Sequence, residues 1–95
     1  MKKILSVRKK IDDLDLQIFK ILEKRYKLIN EISKFKLINT LPIKQKNREK
    51  LQLDKLNKLY HKEPKSYRFI RNIFKFILKE SKKTQKTLFR YLFSS

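Results

Sequence analysis

The sequence predicts an all-α fold of three helices, one long, one short and one of medium length. Three observations predict it. Apolar residues recur at three- and four-residue spacing along most of the chain, the period of a helix rather than the alternation of a strand. The two prolines, Pro42 and Pro64, fall where that period breaks. Glycine is absent, which argues against tight β-hairpins. Ninety-five residues make at most one domain, spanning 1–95.

The first helix is expected from about Ile4 to Leu37. Its seam is Ile4, Val7, Ile11, Leu14, Ile18, Ile21, Leu28, Ile32 and Phe35, sustained over roughly four heptads. Asn39-Thr40-Leu41-Pro42 ends it, because Pro42 disfavours a helical Leu41. A second helix follows from about Lys44 to His61, with Leu51, Leu56, Leu59 and Tyr60 as the expected buried side. Pro64 suits the first turn of a third helix, which runs to about Leu92 on the stripe Tyr67, Ile70, Ile73, Phe74, Ile77 and Leu88. A bundle this short has a thin core, so oligomerisation is a reasonable way to add burial.

Composition excludes several classes of function. With no cysteine, disulfides and thiolate chemistry are out; a single histidine, His61, makes a structural metal site improbable. No apolar run approaches a membrane span, and MKKILSVRKK lacks a signal-peptide core, so a cytoplasmic protein is the default. The net charge of +18 taken alone suggests a polyanionic partner. Lysine, however, outnumbers arginine 21 to 6, alanine and glycine are absent, and isoleucine, leucine, phenylalanine and asparagine are abundant. An AT-rich coding sequence gives that profile, and it accounts for the charge better than a selected nucleic-acid site does. The lysine runs Lys2-Lys3, Lys9-Lys10 and Lys82-Lys83 read as solvated faces.

The informative residues are those that violate the stripes. Arg25 stands on the first seam where another Leu or Ile is due, and a guanidinium on a buried stripe is costly unless an anion meets it. Lys36, eleven residues on, returns to nearly the same face about 16 Å along the axis. Two such side chains can grip one small dianion between them. On the third helix, Ser81, Thr84 and Gln85 replace the apolar residues the stripe calls for; Ser81 and Gln85 share a face at i, i+4. Ser81 could simply bond back to a carbonyl of its own helix. Taken with the defects in helix one, the pair points to a ligand. Arg48-Glu49 offers a third wall, although a Glu near a helix start is ordinarily a surface residue that suits the helix dipole.

In order along the chain these residues resemble the all-helical, AroQ-type chorismate mutases. The resemblance rests on Arg8-Ile11-Asp12-Asp15, Leu22-Arg25, Lys34-Lys36, Pro42-Ile43, Arg48-Glu49 and Ser81-Gln85. It covers about Leu5 to Leu88 without an insertion. It implies an intertwined homodimer that converts chorismate to prephenate on the route to phenylalanine and tyrosine, with no cofactor or metal. It implies that Arg25 grips one substrate carboxylate, that Arg8 from the partner chain reaches the other, and that Ser81 and Arg48 assist around them. Lys36 and Gln85 would hydrogen-bond the ether oxygen, and Glu49 the ring hydroxyl. The family usually has Asp where this chain has Gln45, a departure from the pattern; Gln45 can still offer a hydroxyl contact. Because the chain ends soon after Gln85, no dehydratase, dehydrogenase or regulatory domain is expected on it.

The residue types suit such a reaction. A pericyclic rearrangement needs no nucleophile or proton transfer; it needs a flexible dianion held folded and fixed donors where charge develops. Three other readings stay open. One is an isochorismate-pyruvate lyase of the same fold, which the Arg48-Glu49 pair disfavours. Another is a basic nucleic-acid-binding protein, for which Tyr67, Arg68 and Phe69 could serve but no recognition motif is present. The last is a helical dimerisation module with Arg25 setting the register, which leaves Ser81 and Gln85 unexplained.

Overall fold

The computed structural model describes residues 1–39, 41 and 46–93; the side chains of residues 46, 92 and 93 are left aside. Three helices account for the chain: α1 (Lys2–Ile38), α2 (Lys46–Tyr60) and α3 (Pro64–Phe93). Their order and approximate bounds are those the periodicity predicts, and the described residues contain no strand. The expected Pro42-Ile43 turn lies outside the described residues.

Local chemistry sets the helix ends. At the C-terminus of α1, Asn39 donates from Nδ2 to the Phe35 carbonyl at 2.9 Å, and the Leu41 amide donates to the Lys36 carbonyl at 2.8 Å. The Phe35 carbonyl also accepts the Asn39 amide at 3.0 Å, while the Leu41 bond satisfies a carbonyl near the helix end that would otherwise lack a partner. Pro64 begins α3, where its missing N–H is no loss, and the Glu63 carbonyl accepts the first bond of that helix from the Tyr67 amide at 2.9 Å. His61 is exposed, its Nδ1 3.1 Å from the Lys58 carbonyl, as expected near a helix end.

α3 is the hub. It packs against both α1 and α2, while α1 and α2 make no close backbone contact with each other among the described residues. A cleft is left between them, floored by α3. The face of α1 turned toward α3 carries Arg25, Ile29, Ser33, Lys36 and Leu37, all at least half-buried. α2 uses Leu53, Leu56 and Tyr60.

Two expectations about burial change. Leu51 and Leu59 were expected on the buried side of α2, yet both are exposed. The leucines of α2 support two stripes, and the one in line with Glu49 and Gln52 is the one α3 meets. The larger change concerns α1. Every residue from Met1 to Lys24 except Asp15 is exposed in the single chain, so the seam from Ile4 to Ile21 is not buried by its own chain. Leu28, Ile32 and Phe35 are exposed as well. The long dimension of 57 Å is about the length of a straight 37-residue helix at about 1.5 Å per residue.

Leu78, at 9 % exposure, is the one buried hydrophobic residue among those described, whereas four polar side chains are buried: Ser33, Lys36, Ser81 and Gln85. That inverts the usual composition of an interior. No described helix is long and apolar enough to cross a membrane.

Candidate active site

The cleft draws on all three helices. From α1 come Arg25, Ile29, Ile32 and Lys36, and from α2 Arg48, Glu49 and Gln52. Leu78, Ser81, Lys82 and Gln85 of α3 form the floor. Its free space of about 90 Å³ is several times what one water needs, about 10–15 Å³, so it is a place for a small molecule.

Hydrogen bonds organise the polar groups. Ser81 Oγ donates to the Ile77 carbonyl at 2.8 Å and accepts from Arg25 Nη1. The back-bond expected of a helical serine and the contact expected of a site residue are therefore both present on one hydroxyl. Lys36 Nζ donates to Gln85 Oε1 at 3.0 Å, a buried bond between α1 and α3. Arg25 and Lys36 of α1 thus meet two of the three stripe defects of α3, Ser81 and Gln85, pair by pair. Ser33, also buried, is satisfied within its own helix by donating to the Ile29 carbonyl at 2.6 Å and does not line this cleft.

The electrostatics are those of an anion site. Among the described residues, four cations line the cleft against one carboxylate, Glu49. Burial, and then the nearby charge of Arg48, hold the pKa of Arg25 below its ordinary value. The same two causes, in the same order, lower that of Lys36. Both shifts come from burial and a neighbouring cation, and an anion entering the cleft would oppose them. Fixed donors and cations in a partly desolvated cleft can bind carboxylates and stabilise an oxygen that gains negative charge. The cleft contains neither a histidine nor a second carboxylate to make an acid–base pair.

Of the eight residues singled out from the sequence, six line this cleft: Arg25, Lys36, Arg48, Glu49, Ser81 and Gln85. Arg8 does not. It is exposed on the first half of α1, seventeen residues and hence about 25 Å along the axis from Arg25. Gln45 lies outside the described residues. Sequence reasoning missed Ile29, Ile32, Gln52 and Leu78 as lining residues, which a helical-neighbour rule would have found, since each stands three or four residues from a named site residue. It also misassigned Lys82, which was expected in solvent but faces the cleft and pairs with Glu49 at 3.0 Å. Nothing in the lysine run distinguishes Lys82 from Lys83; only the rotation of α3 does.

Comparisons of the sequence with known proteins identify its family. The sequence signature described as chorismate mutase type II matches residues 7–86. The chain is 39 % identical over 85 residues to the bifunctional chorismate mutase/prephenate dehydratase of Buchnera aphidicola subsp. Schizaphis graminum (strain Sg), covering 90 % of this chain and 22 % of that protein. It is 31 % identical over 85 residues to the protein of the same description from Escherichia coli (strain K12), again covering 90 % of this chain and 22 % of the relative. To the chorismate mutase of Methanocaldococcus jannaschii it is 29 % identical over 86 residues, covering 90 % of this chain and 87 % of that one. The chain thus spans about a fifth of the bifunctional relatives and most of the archaeal one. No solved structure gives a significant match. With the signature running across 7–86, the chain belongs to the chorismate mutase type II family.

Proposed function

We propose that this chain catalyses the rearrangement of chorismate to prephenate, in the cytoplasm and on the route to phenylalanine and tyrosine, as a homodimer with two shared sites. The observation that carries the reading is the convergence, in one cleft, of the six described residues that the resemblance assigns to substrate. They come from three helices and from sequence positions as far apart as Arg25 and Gln85.

In this reading Arg25, fixed by Ser81, forms a charge-assisted bond to one carboxylate of chorismate, and Arg48 reinforces that wall. The folded conformer brings the two reacting carbons together. As the ether carbon–oxygen bond breaks, that oxygen gains negative charge. Lys36 and the Nε2 amide of Gln85 donate to it, binding the transition state more tightly than the ground state. Glu49 accepts a hydrogen bond from the ring hydroxyl. The rearrangement moves electrons around a ring of six atoms within one molecule, so it calls for no cofactor. Gln45 is expected to add a contact near that hydroxyl.

The second carboxylate requires Arg8, and it must come from another chain because a small dianion cannot span about 25 Å. The uncovered seam of α1 supports this. A chain of this size normally buries well over half of the surface it exposes when unfolded, and a row of large apolar side chains from Ile4 to Ile21 stands open instead. Antiparallel packing of two α1 helices would cover the seam and carry Arg8 toward the partner's Arg25.

Loss of chorismate ultraviolet absorbance on adding the purified chain, with prephenate as product, tests the reading. Turnover of isochorismate to salicylate and pyruvate, with chorismate untouched, would replace it with the lyase.

A further inference from the structure

Lys82 follows Ser81 on α3, inside a lysine run, and its neighbour Lys83 lines a different, more open depression beside Tyr26 and Thr87. Lys82 turns into the cleft instead. Its side chain is 28 % exposed and its Nζ lies 3.0 Å from Oε1 of Glu49, itself 25 % exposed. The other described ion pair, Lys27 with Glu23, is an i, i+4 pair on α1 at 71 % and 64 % exposure, a kind that contributes little. The Lys82–Glu49 pair joins two helices and is largely withdrawn from solvent, so salt screens it less.

Glu49 is the single acid of a cleft that also holds Arg25, Lys36 and Arg48. An acid in such a place can fail in two ways. It can repel an entering anion, or it can swing onto an arginine and occupy the guanidinium a ligand carboxylate needs. An ammonium bound to the carboxylate opposes both.

We propose that Lys82 is a positioning residue of this site: it holds Glu49 by one carboxylate oxygen, keeps that carboxylate off Arg25 and Arg48, and leaves the other oxygen to accept a hydrogen bond from a ligand hydroxyl. The proposal rests on the mutase reading and adds a residue to it. Chorismate carries the same total charge in its ground and transition states. A Glu49 stripped of its partner therefore repels both alike, and such a uniform loss raises KM while sparing kcat.

The test is steady-state chorismate consumption by the full-length chain and by Lys82→Gln, Lys82→Arg, Glu49→Gln and the double variant Glu49→Gln/Lys82→Gln, with far-ultraviolet dichroism and a thermal melt for each. Lys82→Gln should raise KM by about tenfold with kcat within about threefold, and Lys82→Arg should recover most of the loss, since like-charge contacts cost affinity and a cation removes them. With Glu49 already neutral, removing Lys82 should change KM by no more than about twofold, because contacting residues are not additive. An equal KM penalty in both backgrounds, a fall confined to kcat, or a parental Lys82→Gln each overturns the assignment while leaving the mutase reading intact. If Lys82→Gln does not fold, the arginine variant and the double variant against Glu49→Gln carry the same comparison. A wild-type chain that leaves chorismate untouched overturns both.

Discussion

Lys36 donates from Nζ to Oε1 of Gln85 across 3.0 Å, so the amide oxygen is engaged with the lysine and the Nε2 end is left to donate. In a neutral amide only one orientation satisfies the lysine and still presents a donor. Gln85 is buried at 6 % exposure and Lys36 at 7 %, which ties the orientation of one to the presence of the other.

Gln85→Glu destroys that arrangement at neutral pH. The carboxylate would keep Lys36 as an ion pair and offer no donor to an oxygen gaining negative charge. Activity at pH 7 should fall by on the order of a hundredfold or more, the scale of a lost transition-state donor. It should recover as acid protonates the new carboxyl. A pH–rate profile from about pH 4 to 8 checks this; near-parental activity at pH 7 would remove Gln85 from the site.

Alkaline pH should act through Lys36. Burial and the charge of Arg48 lower its pKa from an ordinary 10.5, so the empty site gives up this proton earlier than an exposed lysine does. The folded empty protein then binds fewer protons than the unfolded chain between the lowered value and 10.5. Lys36 thus disfavours folding below that window, and the penalty is relieved as pH rises through it. A bound dianion reverses the shift. The alkaline limb of kcat/KM, which reports the free enzyme, should therefore lie below that of kcat, which reports the complex. Lys36→Arg should remove both limbs from the measurable range.

Arg25 and Ser81 form the other cross-helix pair. Arg25→Ala should lower kcat/KM by about a thousandfold or more, since it leaves a buried carboxylate unpaired. Ser81→Ala should cost only about three- to thirtyfold, the scale of one hydrogen bond of about 1–2 kcal/mol. Measuring the two singles and the double gives the coupling directly. A serine variant as damaged as the arginine variant would mean that Ser81 itself touches substrate.

Shared sites predict complementation. Arg8→Ala and Arg25→Ala homodimers should each be almost inactive. Refolded together, a mixed dimer places both lesions at one site and none at the other, so it should show up to about half of wild-type activity, the upper limit set by one intact site of two. Verified mixed dimers that stay inactive would return Arg8 to the surface.

The three helices were legible in the period of the apolar residues and its breaks at Pro42 and Pro64, and most of the cleft because polar residues on apolar stripes are rare enough to be noticed singly. Arg25, Lys36, Ser81 and Gln85 all declared themselves in this way, and they meet in two cross-helix bonds. Glu49 and Lys82 did not, because a Glu in a first turn and a Lys in a lysine run both have ordinary surface roles. Periodicity also fails to say what a stripe packs against. The α1 seam has the pattern of a buried face, yet its first half stays exposed in the single chain. A hydrophobic stripe records that burial occurs and not whose surface supplies it.

That uncovered half-helix bears on how the chain acquires its structure. A helix in water gains little by itself, and its first turn is costly to form. Residues 2–24 are, Asp15 apart, exposed in the single chain, so in the proposed dimer their order arrives with the partner's surface. Recovery of helical signal after dilution from denaturant should then be second order, slowing in proportion as the chain is diluted. The α2–α3 pair, joined across the short Tyr60–Pro64 connection, should form at a rate indifferent to concentration.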